Sequence, residues 1–247
     1  MPKLPPPFSN QSTSDWIVQL QQSDVAVERL QALQAVGSLC PPDESARWAA
    51  HAIHDTDPTI RALAAKLLGN VGNSASNETE TQLLALLVDN DPDVRFESSR
   101  ALIRRKTVQQ DRAVTVLLAF LDEDETQALM AAAVVNALVE ADLCRRITEE
   151  ELRPRILRLL DHERAEVREA VANAFARWPG MSESCTDQLL PLLDDCEPIV
   201  REKIAETLGQ AGIVSDSIIS GLRSAVQDED TEVARVATEA LRRLGSQ

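Results

Sequence analysis

The feature that most constrains the fold is a five-residue motif that returns along the chain at a nearly constant interval. Its copies are DPTIR (57–61), DPDVR (91–95) and EPIVR (197–201), with weaker forms RAEVR (164–168), DTEVA (230–234), DETQA (124–128) and DVAVE (24–28). Their last residues fall at 28, 61, 95, 128, 168, 201 and 234, so five of the six intervals are 33 or 34 residues and one is 40. Such a period indicates a repeat protein whose units are stable only when stacked.

Each copy of the motif lies between two apolar segments with helical spacing. Runs such as LLALLVD (83–89) precede it, and runs such as RALAAKLLG (61–69) and REKIAETLG (201–209) follow it. Leucines at i, i+3, i+4 and i+7 give a helix one apolar stripe. The sequence therefore predicts an all-α fold of about seven units, each made of a helix A, a tight acidic turn and a helix B.

The acidic turn has two interpretations, which the segment DNDPDVRFE (89–97) illustrates. Alternating Asp89, Asp91 and Asp93 could open a calcium loop, but such a loop also needs a glycine bend and a distant bidentate glutamate. The alternative is a helix start, in which an aspartate caps the first backbone N–H groups and proline takes the first helical position. Because helical periodicity begins at once, we interpret these acids as helix-starting residues.

The whole pattern, L-L-x-L-L-x-D-x-D-P-x-V-R-x-x-A, resembles HEAT repeats, especially the short bacterial type also found in phycobilin lyase subunits. The resemblance covers about residues 15–245 and implies a right-handed α-solenoid with the B helices on its concave face. It also implies that the arginine closing each motif bonds to turn acids of a neighbouring repeat, in a structural ladder of Asp57, Arg61, Asp91, Arg95, Arg168 and Arg201. Ala128 and Ala234 replace that arginine, so the ladder should be interrupted in the fourth and seventh repeats.

The domain organisation follows from composition at the N-terminus. Residues 1–14, MPKLPPPFSNQSTS, are rich in proline and serine and are expected to form a flexible arm, which leaves residues 15–247 as a single solenoid domain. The longer interval between the fourth and fifth copies falls within EADLCRRITEE (140–150). That longer loop is a hinge, a contact site, or the result of a change in repeat length alone.

Helix positions indicate a candidate partner-binding surface. We number the residues of each helix B from the last motif residue, which is position zero. Positions −1, +3, +4 and +7 then share the core side, and positions +1, +2 and +5 point away from it. This phase places four large apolar side chains on the outward face: Leu63, Phe96, Leu129 and Met130. Contiguous exposed apolar residues usually mark a binding surface. If the phase is off by one residue, the same side chains lie in the core.

Charge and composition restrict the class of partner. The net charge is −15, which disfavours binding to the nucleic-acid backbone. Cations still gather at the end of one B helix, at Arg104, Arg105 and Lys106. They suit the helix dipole, and a phosphate or acidic-peptide site is the alternative. No apolar stretch approaches the length of a membrane span, and four cysteines without CxxC spacing or a visible signal peptide favour the cytoplasm.

Catalysis has little support in the sequence. Two of the three histidines, His51 and His54, stand three residues apart on a predicted helix A, but no third strong metal ligand is evident. His162–Glu163 is a single His-Glu pair, whereas the iron site of deoxyhypusine hydroxylase, which resembles this chain in fold only, uses repeated pairs. We therefore expect no catalytic residue, metal or cofactor, and a non-enzymatic scaffold that binds another protein or peptide. The alternative is a phycobilin lyase-like or chaperone subunit that acts with a second protein.

Overall fold

A computed structural model describes residues 11–70, 77–106, 109–122, 128–140, 149–176 and 185–245. Within these ranges the chain forms fourteen α-helices and no strand, and the helices follow one another as seven A–B pairs. The predicted all-α repeat fold is therefore confirmed. The chain divides into two compact units, Met1–Leu117 and Leu118–Gln247, with the division inside the seventh helix.

The first unit contains three A–B pairs and the start of a fourth A helix. Its helices are α1 (Thr13–Gln22), α2 (Ala26–Leu39), α3 (Pro42–Ala52), α4 (Pro58–Asn70), α5 (Asn77–Leu86), α6 (Pro92–Arg104) and the beginning of α7 (Gln110–Asp122). The B helices α2, α4 and α6 pack side by side, and each also packs against the A helix of its own pair. The B helices are therefore buried on more than one side.

The second unit continues the same pattern, with one short A helix, Thr186–Leu189. It contains the end of α7 and α8 (Ala128–Glu140), α9 (Glu149–Arg158), α10 (Ala165–Ala176), α11 (Thr186–Leu189), α12 (Pro198–Ala211), α13 (Asp216–Ala225) and α14 (Thr231–Arg243). Short 3-10 turns, Leu159–Asp161 and Leu190–Asp194, extend α9 and α11. The B helices α8, α10, α12 and α14 pack in succession.

The turn acids start the B helices in the way that the motif predicted. Asp91 precedes Pro92, and its carboxylate accepts the backbone N–H groups of Asp93 and Val94 at 3.0 and 3.2 Å. Asp230 does the same for the N–H groups of α14, at 2.9 and 3.2 Å. The capping interpretation of these aspartates is confirmed.

The first helix begins earlier than the sequence suggested. Ser12 and Asp15 form a capping box, in which the Ser12 hydroxyl accepts the Asp15 N–H at 3.2 Å and the Asp15 carboxylate accepts the Ser12 N–H at 3.1 Å. Helix α1 therefore starts at Thr13, inside the expected arm 1–14. Residues 1–10 and most of the 140–150 loop lie outside the described residues.

Neighbouring B helices lie close together at a glycine. Gly69 on α4 faces Ala101 on α6, and Gly209 on α12 faces Ala240 on α14. A Cβ atom built on Gly209 would lie 2.7 Å from the Ala240 Cβ and 2.8 Å from its Cα. Because the Ala240 Cα is a backbone atom and cannot rotate away from a Cβ on residue 209, only glycine permits this helix spacing.

Replacing Gly209 by alanine is expected to lower the free energy of unfolding by about 1–2 kcal/mol, because an overpacking cost of up to about 3 kcal/mol exceeds a helix-propensity gain of up to about 1 kcal/mol. Urea unfolding followed by circular dichroism measures the change. Gly221→Ala in α13 is the matched control, since a Cβ there would meet only the ends of the flexible Leu193 and Leu190 side chains and no backbone atom. Equal effects of the two substitutions would contradict the close approach.

Candidate functional site

Four arginine–aspartate pairs connect the turns of consecutive repeats, and we call them the Arg–Asp ladder. Two pairs lie in the first unit, Arg29–Asp55 and Arg61–Asp89, and two in the second, Arg168–Asp195 and Arg201–Asp228. In each pair the arginine Nε and Nη2 donate to the two carboxylate oxygens at 2.7–2.9 Å. Two parallel, charge-assisted bonds fix both the distance and the angle between the partners.

The third donor of each arginine holds the turn of its own repeat. Arg61 Nη1 donates to the backbone carbonyls of Asp55 and Thr56 at 2.9 and 3.1 Å, while its other two donors reach Asp89 in the next repeat. Asp89 in turn accepts the backbone N–H of Asp91 at 2.9 Å. One guanidinium therefore ties two turns together and sets the start of the next B helix.

The ladder acids are not Asp57 and Asp91, which the resemblance to HEAT repeats implied. Each lies six residues before the last residue of a motif, whereas Asp57 and Asp91 lie four residues before it and cap the helix instead, Asp57 through the Thr59 N–H at 2.8 Å. The physical reason is that the two carboxylates face different donors. The signal was present in the sequence, because an aspartate recurs six residues before the last motif residue at 55, 89, 122, 195 and 228.

The first and fifth repeats vary from this arrangement. In the first repeat Arg29, and not the residue before it, makes the ladder contact. Arg95 keeps the own-turn contacts of the pattern, since its Nη1 donates to the backbone carbonyls of Asp89 and Asn90. In the fifth repeat His162 takes the place of the ladder aspartate, and its Nδ1 accepts the Arg164 N–H at 3.0 Å. His162 therefore accepts the backbone N–H two residues on, as Asp55 and Asp89 do, but it brings no negative charge to the turn.

The pairs in the second unit are well buried. The side chains of Arg168 and Asp195 are 8% and 5% exposed.

Hydrogen bonds from Arg61 and Arg201 hold the pKa values of Asp89 and Asp228 below the ordinary value of a carboxyl, although burial opposes this. These carboxylates are charged, paired structural groups, so they do not supply free acid to a partner.

The outward face of the B helices consists of the residues two, five and nine positions after the closing arginine. In α2 these are the exposed Gln31, Gln34 and Ser38. In α4 and α6 they are Leu63, Lys66, Asn70, Glu97, Arg100 and Arg104, of which Lys66, Asn70 and Arg104 are exposed and the others half-buried. We call this the B-helix face.

The position directly after the arginine, which the sequence placed on the outward face, is turned inward. Ala62 and Phe96 are 8% and 7% exposed, because α4 and α6 pack side by side there. The Arg100 guanidinium lies 5.4 Å from the centre of the Phe96 ring. Phe96 is thus a core residue, Leu63 and Met130 are half-buried, and the side chain of Leu129 lies outside the described residues.

A shallow cavity of about 200 Å³ lies between α12 and α14 on the B-helix face of the second unit. Six of its lining residues are charged, three of each sign: Glu202, Lys203, Glu206, Arg235, Glu239 and Arg243. Lys203 donates to Glu206 at 3.1 Å, and Arg243 donates to Glu239 at 3.2 Å. The cavity is therefore internally balanced in charge.

The side chains that could bind a metal ion do not cluster in the described residues. In the part of the chain that the structure describes, no three His, Cys, Asp or Glu side chains group together as metal ligands would. His51 packs against Trp48 with ring centres 5.9 Å apart. None of the helices in the described ranges has the length and apolarity that crossing a bilayer requires.

Solved structures resemble this chain over nearly its full length. An engineered protein shares 20% identity with a TM-score of 0.58, covering 95% of this chain and 68% of that one. YibA of Escherichia coli shares 15% identity with a TM-score of 0.56, covering 96% and 93%. A chain in the complex of CpcE and CpcF of phycocyanin lyase from Nostoc sp. PCC7120 shares 19% identity with a TM-score of 0.53, covering 99% of each chain. At these identities the likeness is one of fold.

Comparison of the sequence with protein-family models identifies one family. No curated protein matches the chain significantly. The family model described as HEAT repeats matches residues 46–139 and 186–247. Since these matches cover more than half of the residues, the chain belongs to the HEAT-repeat family.

Proposed function

We propose that this protein is a non-enzymatic scaffold or adaptor that binds another protein along its B-helix face. The observation that carries the proposal is the Arg–Asp ladder, which fixes the turns at which the B helices begin. A surface held by buried, bidentate ion pairs is pre-organised, and pre-organisation lowers the entropic cost of binding.

The composition of the B-helix face supports the same conclusion. Its exposed positions carry long polar side chains, such as Gln34, Lys66 and Arg104, that are suited to hydrogen bonding with a partner. Neighbouring helices also align these side chains, since Arg104 Nη1 donates to the Asn70 Oδ1 at 3.1 Å across the α4–α6 contact. Repeat proteins use such rows of side chains as extended binding surfaces.

Site-specific photo-crosslinking tests the proposal. A photoreactive amino acid is placed on the B-helix face at Gln34 and Gln210, and on A helices at Arg112 and Ser220 as matched controls, all of which are exposed. We expect crosslinks to one discrete partner from the B-helix positions and not from the A-helix positions. Crosslinks from the A-helix positions alone would place the contact on the opposite side and contradict the proposal.

A lyase-like subunit is the second candidate function. The likeness to the CpcE–CpcF complex over the full length of both chains favours it, because two-protein assembly is then a property of the same architecture. Purification after co-expression with a bilin-producing pathway distinguishes the two. A bound chromophore with visible absorbance supports the lyase-like subunit, and a colourless protein complex supports the scaffold.

A further inference from the structure

We infer that the part of the B-helix face formed by α4 and α6 binds an acidic segment of the partner protein. The inference rests on the proposed function and specifies the chemistry of the partner. It arises from a local reversal of charge, because this face is basic in a chain whose net charge is −15.

The cations of this face are close neighbours. Lys66 on α4 and Arg100 on α6 occupy the same position of successive repeats, and α4 packs directly on α6. Axes of packed helices are about 8–10 Å apart. Arg104 lies one turn beyond Arg100 and contacts Asn70 on α4, while the exposed Lys106 lies two residues after the end of α6. Four positive side chains therefore lie within the reach of one short peptide.

The helix dipole does not account for these cations. Arg104 stands in the last turn of α6, where a positive charge is favoured by the dipole. Lys66 stands inside α4, more than a turn before its end at Asn70, and the dipole effect has faded at that distance. The basic character thus extends beyond helix capping.

Little negative charge offsets the patch. Among the outward positions of α4 and α6 the acid is Glu97, whose carboxylate accepts from Arg100 at 3.3 Å. The half-buried Leu63 lies at the position of α4 equivalent to Glu97 and adds an apolar spot beside the cations. A segment of glutamates or aspartates with an apolar side chain among them is complementary to this arrangement.

The second unit provides an internal contrast at the same helix positions. On α12 and α14 Lys203 bonds to Glu206, and Arg243 bonds to Glu239. Three acids and three bases surround the cavity there. That face offers no excess of positive charge, so it should not select an acidic segment.

Fluorescence anisotropy with the full chain tests the inference. The probe is a labelled peptide of about ten residues, glutamates with a central leucine, which spans about 30 Å when extended. We expect binding at low salt that weakens as ionic strength rises. Lys66→Glu/Arg104→Glu should weaken it by about tenfold or more, whereas the control Lys203→Glu/Arg235→Glu should leave it unchanged. Circular dichroism verifies that both variants fold.

Three results would overturn the inference: no binding of the acidic peptide at low salt, equal loss in both double variants, or equally tight binding of an oligothymidylate of the same charge. Its failure is separable from failure of the scaffold function. If the acidic peptide does not bind but Gln34 and Gln210 still crosslink to a partner, the scaffold stands and the acidic specificity is wrong. If neither occurs, both are wrong.

Discussion

Replacing Asp195 by alanine is expected to lower the free energy of unfolding by about 3–5 kcal/mol, because it removes one partner of a buried ion pair. Asp195 accepts two hydrogen bonds from Arg168, each at 2.7 Å, and one from the Glu197 N–H at 2.9 Å. Its loss leaves the Arg168 guanidinium buried without a carboxylate, with the carbonyls of its own turn and the Cys196 sulfur as its remaining acceptors. Urea unfolding monitored by circular dichroism measures the change.

Two further variants separate the ladder from ordinary surface charge. Glu232→Ala removes an exposed pair with Arg235 and should change stability little. The double substitution Arg168→Met/Asp195→Leu should cost less than Asp195→Ala alone, because no charge is left buried without a partner. A loss from Asp195→Ala no larger than that from Glu232→Ala would show that the ladder does not stabilise the fold.

Acid titration gives a second readout of the same variant. Burial raises the pKa of Asp195, but hydrogen bonds from Arg168 and the Glu197 N–H outweigh it and hold that pKa below the ordinary value. A folded-state pKa below the unfolded value of about 3.9 gives stability that is fully present above that pH. This stability is lost as the pH falls through the lower, folded value. The wild type should therefore lose more stability on acidification than Asp195→Ala does.

The repeat architecture was predictable because its causes are local. Helical periodicity, an aspartate cap and a proline at the first helical position act within one segment, so the seven copies of the motif located the seven helix pairs. The identity of the ladder acid was not local. In DTDPTIR and DNDPDVR two aspartates stand two residues apart, and only the packed neighbouring repeat shows which one meets an arginine.

One of the three predicted outward positions, the one directly after the closing arginine, was wrong for a similar reason. A helical wheel assigns one core direction to each helix, which suits an amphipathic surface helix. Helices α4 and α6 instead pack against an A helix and against each other, so the buried arc is wider than one stripe. Ala62 and Phe96 fall within that wider arc, while Leu63 stays at its edge.

Phe96→Ala is expected to lower the free energy of unfolding by about 3–5 kcal/mol, the usual cost of emptying a buried phenylalanine site. The side chain is 7% exposed, and its ring also faces the Arg100 guanidinium. Thermal and urea unfolding of the variant measure the loss. Leu63→Ala is the matched control and should cost clearly less, because Leu63 keeps part of its surface in water.

The comparison of these two variants decides whether Phe96 belongs to the core or to a partner contact. A core residue changes stability first, and binding falls only as the folded population falls. A contact residue changes partner affinity while the unfolding curve stays in place. If Phe96→Ala unfolds at the wild-type urea concentration and loses its partner, Phe96 lies on the binding surface and the side-by-side packing of α4 and α6 described above is wrong at that position.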